Sequence, residues 1–268
     1  MSLRIQNNVE AFNAQRQLVG NSDKLSKAME KLSSGYRINR AGDDAAGLAI
    51  SEKLRGQITG LAQASRNAGD AISMVQTGEG ALNEVHSMLQ RVRELAVQYK
   101  NGTLGDNDRT AIQSEVNQLK AEITRIGNDT EFNGTKLLNA TGSITFQVGA
   151  GDGQQISVAT VSMGASVADS IFSLGASTTT DIANIDAAIN NISAARATFG
   201  SVQNRLEHTV SNLASYQENL TASESRIRDA DMAQEMVKFT KYQILQQAGT
   251  SMLSQANQAP QSVLSLLR

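Results

Sequence analysis

The chain has no cysteine, no tryptophan and one proline, and its aromatic content is six Phe and four Tyr in 268 residues. Without cysteine there are no disulfides, no thiolate nucleophile and no Cys-ligated metal. So few large rings argue against a thick globular core, where aromatics usually carry much of the burial. Ala, Leu, Ile and Val dominate instead, which suits narrow helix–helix seams. No apolar run approaches the roughly 20 residues that span a bilayer, so no membrane partner is expected. The first nine residues show neither an apolar signal core nor a small-residue cleavage site, so a cleaved secretory signal is not expected. A net charge of −2 speaks against nucleic acid as a partner. The charge is uneven, however. Residues 1–42 carry seven basic against three acidic side chains and residues 225–268 five against three, so the middle of the chain is acidic.

What is present is helical periodicity. Leu18, Leu25 and Leu32 stand seven apart with Met29 between the last two, and Ile5, Val9 and Phe12 continue the stripe upstream. Leu54, Ile58, Leu61, Ser65, Ala68, Ile72 and Val75 follow a four-three repeat, which Leu82, Val85, Leu89, Val92, Ala96 and Tyr99 resume. Gly78 and Gly80 lie between the two runs, where a kink or break is expected. A third helix is predicted over Ile112, Val116, Leu119, Ile123 and Ile126, and a fourth over about 40 residues from Ile182 to Leu220. The last helix carries Leu245, Ala248, Met252, Ala256, Ala259, Val263 and Leu266 on one face and Gln243, Gln246, Gln247, Gln255, Gln258 and Gln261 on another. Pro260 should kink it or start a new turn.

Two stretches interrupt the helices. Residues 32–51, LSSGYRINRAGDDAAGLAIS, contain Ser-Gly and Gly-Asp clusters that favour turns. Asp43 or Asp44 is placed to cap the helix that follows. Residues 225–231 form the corresponding charged break near the other end. Between residues 130 and 180 the pattern changes: Ile144, Phe146 and Val148 alternate, as do Ile156 and Val158, around Gly-Asp-Gly. That reads as a β-hairpin in a surface-exposed, loop-rich segment. The expected fold class is mainly α, an elongated antiparallel long-helix bundle or coiled coil with a small β-hairpin in mid-chain.

Catalytic motifs are missing. There is no phosphate-binding glycine loop, no G-x-S-x-G and no H-E-x-x-H. His86 and His208 sit on predicted helices, where a seam or surface position is the default and a shared metal site the remote alternative. The six N-x-[ST] matches, several inside helices, read as chance. No catalytic, cofactor-binding or metal residue is assigned.

The sequence resembles the bacterial flagellins. The resemblance rests on residues 32–51, on SRNAGDAISMVQTGEGALNEV at 65–85, QRVRELAVQ at 90–98, SRIRDADMAQEM at 225–236 and ANQAPQSVLSLLR at 256–268. It implies a subunit that polymerises into the helical flagellar filament. In that plan residues 1–42 and 225–268 form an inner, channel-lining coiled-coil domain, and residues 43–224 a rod-like helical domain with a short hairpin and loop region at 130–180. No large outer domain is left room. Leu18, Leu25, Leu32, Met252, Val263 and Leu266 are the expected inner-domain assembly residues. Arg37, Arg40, Asp43, Asp44, Arg228, Asp229 and Asp231 form the expected hinge or spoke, with Arg37 and Arg40 candidates to pair with Asp229 and Asp231 within or between subunits. The glutamine face would line the channel, or be an ordinary solvated face.

The resemblance also implies partners. These are copies of the chain itself, an export chaperone at the C-terminal helix, the filament cap and hook-associated proteins, and the vertebrate toll-like receptor for flagellin. Receptor and protofilament contacts map to Gln90, Arg91, Leu95 and Glu115. The implied location is the extracellular filament, reached by type III export without a cleaved signal. A hook–filament junction protein is the nearest alternative reading. A flagellin with a metalloprotease insert and a cytoplasmic coiled-coil scaffold are more distant ones.

Overall fold

A computed structural model describes residues 8–139, 141–167, 169–174 and 181–266; the side chains of 165, 166, 169, 170 and 259–266 lie outside that description. The elements in order are α1 (Val9–Ser34), α2 (Ala45–Tyr99), α3 (Asp106–Asp129), β1 (Glu131–Phe132), β2 (Thr135–Lys136), β3 (Gly142–Gln147), β4 (Gln155–Thr160), the short α4 (Met163–Ser166), a 3-10 turn (Asp169–Phe172), α5 (Asp181–Arg228) and α6 (Met232–Leu266). β1 pairs with β2 and β3 with β4, both antiparallel, giving two small two-stranded ribbons. The fold class is mainly α. The chain divides into two compact units, one holding the chain up to Gly56 and from Asn219 onward, the other Gln57–Glu218.

The second unit holds a continuous hydrophobic core. Leu82, Val85, Leu89, Val92 and Ala96 of α2, Ile112, Val116 and Ile123 of α3, and Ile185, Ile192, Phe199, Val202 and Leu206 of α5 are all buried in it. These are the four-three positions of the sequence, so each helix turns its stripe inward. Arg93 to Asp186 (2.6 Å) and Arg91 to Glu115 (3.0 Å) tie α2 to α5 and to α3 at the solvent edge.

Several expectations are corrected here. α2 runs unbroken through Gly78 and Gly80. A β-carbon on Gly78 would lie 2.7 Å from Phe199 Cε2, so this glycine lets the buried Phe199 ring lie against the helix backbone. Gly78 marks a packing position, and neither glycine breaks the helix. α5 runs on to Arg228, through the first charges of the 225–231 stretch, and the α6 backbone stays helical through Pro260. The middle segment forms the expected hairpin, with Ile144 opposite Val158 and Phe146 opposite Ile156. It is not merely surface loop, because Leu137, Leu138, Val148, Met163, Val167, Ile171, Phe172 and Leu174 join the core. Gln113 on α3 fixes this layer: its Nε2 donates to the Phe172 carbonyl (2.6 Å) and its Oε1 accepts from the Leu174 N–H (3.1 Å).

Candidate assembly surfaces

The first unit is built on α1 packed against α6. Asn8 Nδ2 donates to the Ala256 carbonyl (2.7 Å), a β-carbon on Gly249 would meet Leu18 Cδ1 at 3.1 Å, and the Ala230 N–H donates to the Gly35 carbonyl (2.9 Å). These contacts fix an antiparallel register. On α1 the shielded side is Ala11, Ala14, Leu18, Asn21, Leu25, Ala28 and Leu32. Leu18, Leu25 and Leu32 therefore lie on the packed face, as their spacing suggested. On α6 the shielded side is Glu235, Phe239, Tyr242, Gln246, Gly249, Leu253 and Ala256.

The α6 seam differs from the expected stripe. Leu245 and Met252 point outward, 38% and 63% exposed, and of the stripe's described side chains Ala256 is on the seam. Ala259, Val263 and Leu266 have side chains outside the described residues, as does Gln261. Gln246 lies on the seam rather than on the solvated glutamine face. On α1, Val9, Phe12 and Met29 are 53–60% exposed, so the upstream stripe also faces out; Ile5 lies outside the described residues. The physical pattern is simple. The intramolecular seam mixes Leu18, Leu25, Leu32, Phe239, Tyr242 and Leu253 with small and polar residues, and further large apolar side chains face solvent: Phe12, Val19, Met29, Met236, Val237 and Ile244 among them. Apolar side chains left exposed in this number make these helices a candidate interaction surface.

The hinge connects α1 to α2. Gly35 ends α1 with φ +75°, the left-handed conformation that glycine adopts without penalty, and donates to the Lys31 carbonyl (2.9 Å). Asp44 caps α2, its Oδ1 accepting from the Gly47 N–H (2.8 Å). Asp43 instead folds back on the loop, its Oδ2 accepting from the Asn39 (3.2 Å) and Arg40 (3.1 Å) N–H groups. Those two backbone bonds, ahead of the nearby Lys31 and Lys27 charges, hold its carboxyl below the ordinary Asp value. The loop clasps the end of α5: Arg37 N donates to the Arg228 carbonyl (2.7 Å), and Tyr36 pairs with Asp229 as an antiparallel bridge.

Within the chain the proposed charge pairing is not the one formed. Arg40 pairs with Glu30 (2.9 Å), and Arg37 Nη2 donates to the Ile227 carbonyl (2.5 Å). Asp231 caps α6, accepting from Ala233 N (3.0 Å) and Gln234 N (3.2 Å). Arg228 stacks over Tyr36, 4.8 Å from the ring centre, and pairs with Glu52 (2.8 Å); its guanidinium pulls the Glu52 carboxyl below its ordinary value. Glu52 was the partner missed in sequence reasoning. It stands two helical turns beyond the hinge, and nothing local links it to Arg228.

On the second unit, Gln90, Arg91 and Glu115 are exposed. Arg91 bridges Glu94 and Glu115, both at 3.0 Å, and these bonds raise its affinity for its proton. Gln90 contacts His86 Nε2 (3.0 Å). Leu95 is corrected: it is 2% exposed and belongs to the core, so it supports this surface from beneath. Among the described residues there is no group of three or more His, Asp or Glu able to hold a metal, and no helix is long and apolar enough to cross a membrane.

These features define a class: a mainly helical subunit whose two end helices pair antiparallel and keep large apolar side chains exposed. Comparison with known proteins names the family. Residues 5–143 match the bacterial flagellin N-terminal helical region and residues 182–267 the bacterial flagellin C-terminal helical region. The chain is 51% identical to the flagellin of Bacillus subtilis strain 168, covering 99% of this chain and 100% of that one. It is 53% identical to the flagellin of Halalkalibacterium halodurans, covering 98% and 99%. Among solved structures it is similar to the crystal structure of Bacillus cereus flagellin, with 34% identity, a TM-score of 0.52, and coverage of 59% of this chain and 94% of that one. The chain belongs to the bacterial flagellin family.

Proposed function

We infer that the chain is a structural subunit that polymerises into the helical bacterial flagellar filament. The observation that carries the mechanism is the outward apolar face of α1 and α6. A contact between unlike surfaces of identical subunits, if its rotation does not close a ring, propagates as a helix. Beyond their mutual seam α1 and α6 leave many apolar side chains exposed in the monomer, and neighbouring subunits supply the burial that orders them fully. Two experiments test this. Deleting residues 256–268 abolishes polymerisation while circular dichroism still reports a helical chain; normal filaments from the truncation refute the reading. Limited proteolysis cuts both ends of the monomer and neither end in the filament.

The remaining assignments rest on the family and on the surfaces described. Residues 1–42 and 225–268 form the inner domain and residues 43–224 the rod, with the hinge clasp of Tyr36, Arg37, Arg228 and Asp229 as the spoke between them. The exposed Gln243, Gln247, Gln255 and Gln258 line the channel, where uncharged side chains give unfolded cargo no strong attachment. The apolar face of α6 is held by an export chaperone before export, and the assembled chain meets the cap and hook-associated proteins at the filament ends. Its location is the extracellular filament. Exposed Gln90, Arg91 and Glu115 form the surface read by the vertebrate toll-like receptor and used between protofilaments. A reporter-cell assay is expected to respond to the monomer and to lose response with Arg91→Ala; no response to either protein refutes the receptor assignment.

A further inference from the structure

Among the described residues the methionines divide sharply between the two units. Met74 and Met163 are buried in the second unit, at 4% and 6% exposure, and Met88 packs against the same core. Met29, Met232, Met236 and Met252 are 46–63% exposed, all on α1 or α6. None of these four lies on the α1–α6 seam. They are exposed, as are Phe12, Val237 and Ile244 on the same two helices.

We propose that Met29, Met232, Met236 and Met252 are a modification site, at which peroxide oxidation of the thioethers in the unassembled chain blocks its addition to a filament. The proposal rests on the assembly reading above. The chemistry is a two-electron oxygen transfer. A sulfur lone pair attacks one oxygen of hydrogen peroxide, an S–O bond forms and the O–O bond breaks. The departing hydroxide takes up the transferred proton as water, so the sulfur is oxidised and the peroxide reduced. The product sulfoxide is polar and chiral where the thioether was apolar and flexible. In the monomer such a group stays solvated and costs little. Covered by a neighbouring subunit it loses its water, and burial without a hydrogen-bond partner is unfavourable. The buried thioethers of Met74 and Met163 are shielded, so the reaction is selective for the exposed thioethers of α1 and α6.

The test uses the full chain and hydrogen peroxide. Mass spectrometry of peptides from the treated monomer should show sulfoxide at the four positions, with Met74 and Met163 spared. The critical concentration for growth on filament seeds should rise at least about tenfold, the factor corresponding to about 1.4 kcal/mol of lost contact. Enzymatic reduction of the sulfoxides should restore growth, which a damaged or unfolded chain would not do. The variant M29L/M232L/M236L/M252L, apolar but unable to form sulfoxide, should polymerise equally before and after peroxide; if it polymerises poorly untreated, the reduction rescue of the wild type decides. An unchanged critical concentration for the oxidised wild type overturns the proposal, as does loss of growth that reduction cannot reverse. Oxidation of the four methionines as fast in filaments as in monomers overturns the assembly reading itself. Protection in filaments together with normal growth of oxidised monomer overturns this proposal alone.

Discussion

Two glycines two residues apart on α2 show how a single position acquires its meaning from its neighbours. Gly78 faces the buried Phe199 ring, with no room for a β-carbon, whereas Gly80 has nothing within 4 Å. Gly80→Ala should therefore stabilise the second unit by up to about 1 kcal/mol, the helix-propensity difference. Gly78→Ala gains the same propensity but overpacks a rigid ring, a cost of about 1–3 kcal/mol. Its net effect is destabilising, and urea denaturation of the pair of variants should show opposite shifts of midpoint. Asp43 offers a prediction in pH. Its folded pKa lies below the unfolded value, so its contribution to stability is complete above about pH 4. That contribution is lost as pH falls through the lower folded value. A carbon-detected titration should place the Asp43 carboxyl midpoint below that of a free Asp, and Asp43→Ala should flatten the acid limb of the stability profile. A midpoint at or above the free value contradicts the loop geometry.

At the scale of elements, the middle segment carries more of the structure than its composition suggests. Phe172 sits in a short 3-10 turn, 4% exposed, and its carbonyl is held by Gln113. Phe172→Ala should cost the second unit about 3–5 kcal/mol, the range for emptying a buried ring site. A loss below about 1 kcal/mol in denaturant unfolding would return this segment to the status of a surface loop. The α6 helix makes the complementary point. Helical spacing correctly marked an apolar stripe, but a stripe faces the richest burial on offer. Within one chain α6 meets α1 through Glu235, Phe239, Tyr242, Gln246, Gly249 and Leu253, and Met252 and Leu245 stay exposed.

At the scale of the molecule, the two units differ in how much apolar surface they hide. The fully buried large side chains, Leu82, Leu89, Ile185, Ile192 and Leu206 among them, lie in the second unit, and Ile38 at the hinge is the exception. Local stability follows buried contact. Hydrogen exchange on the monomer should show slow amides along the buried part of α2 and fast exchange across α1 and α6, with α1 and α6 becoming slow on polymerisation. Equal protection of all helices in the monomer would contradict this difference in burial.

The periodic spacing of apolar residues determined the long helices, the hairpin and the inward faces of α2, α3 and α5. Period and alternation are local properties, repeated often enough along these elements to outweigh exceptions. The end motifs also determined the family. Tertiary structure decided the rest. Glu52 becomes the partner of Arg228 across 176 residues, Leu95 enters the core, and Gly78 becomes a packing site because Phe199 arrives from another helix. The irregular apolar residues between 137 and 174 have no period to read, so only the packed core shows that they are buried. The outward face of α6 has the same origin. A helix carries more than one apolar stripe in its sequence, and the packing against α1 decides which one is buried within the chain and which stays exposed.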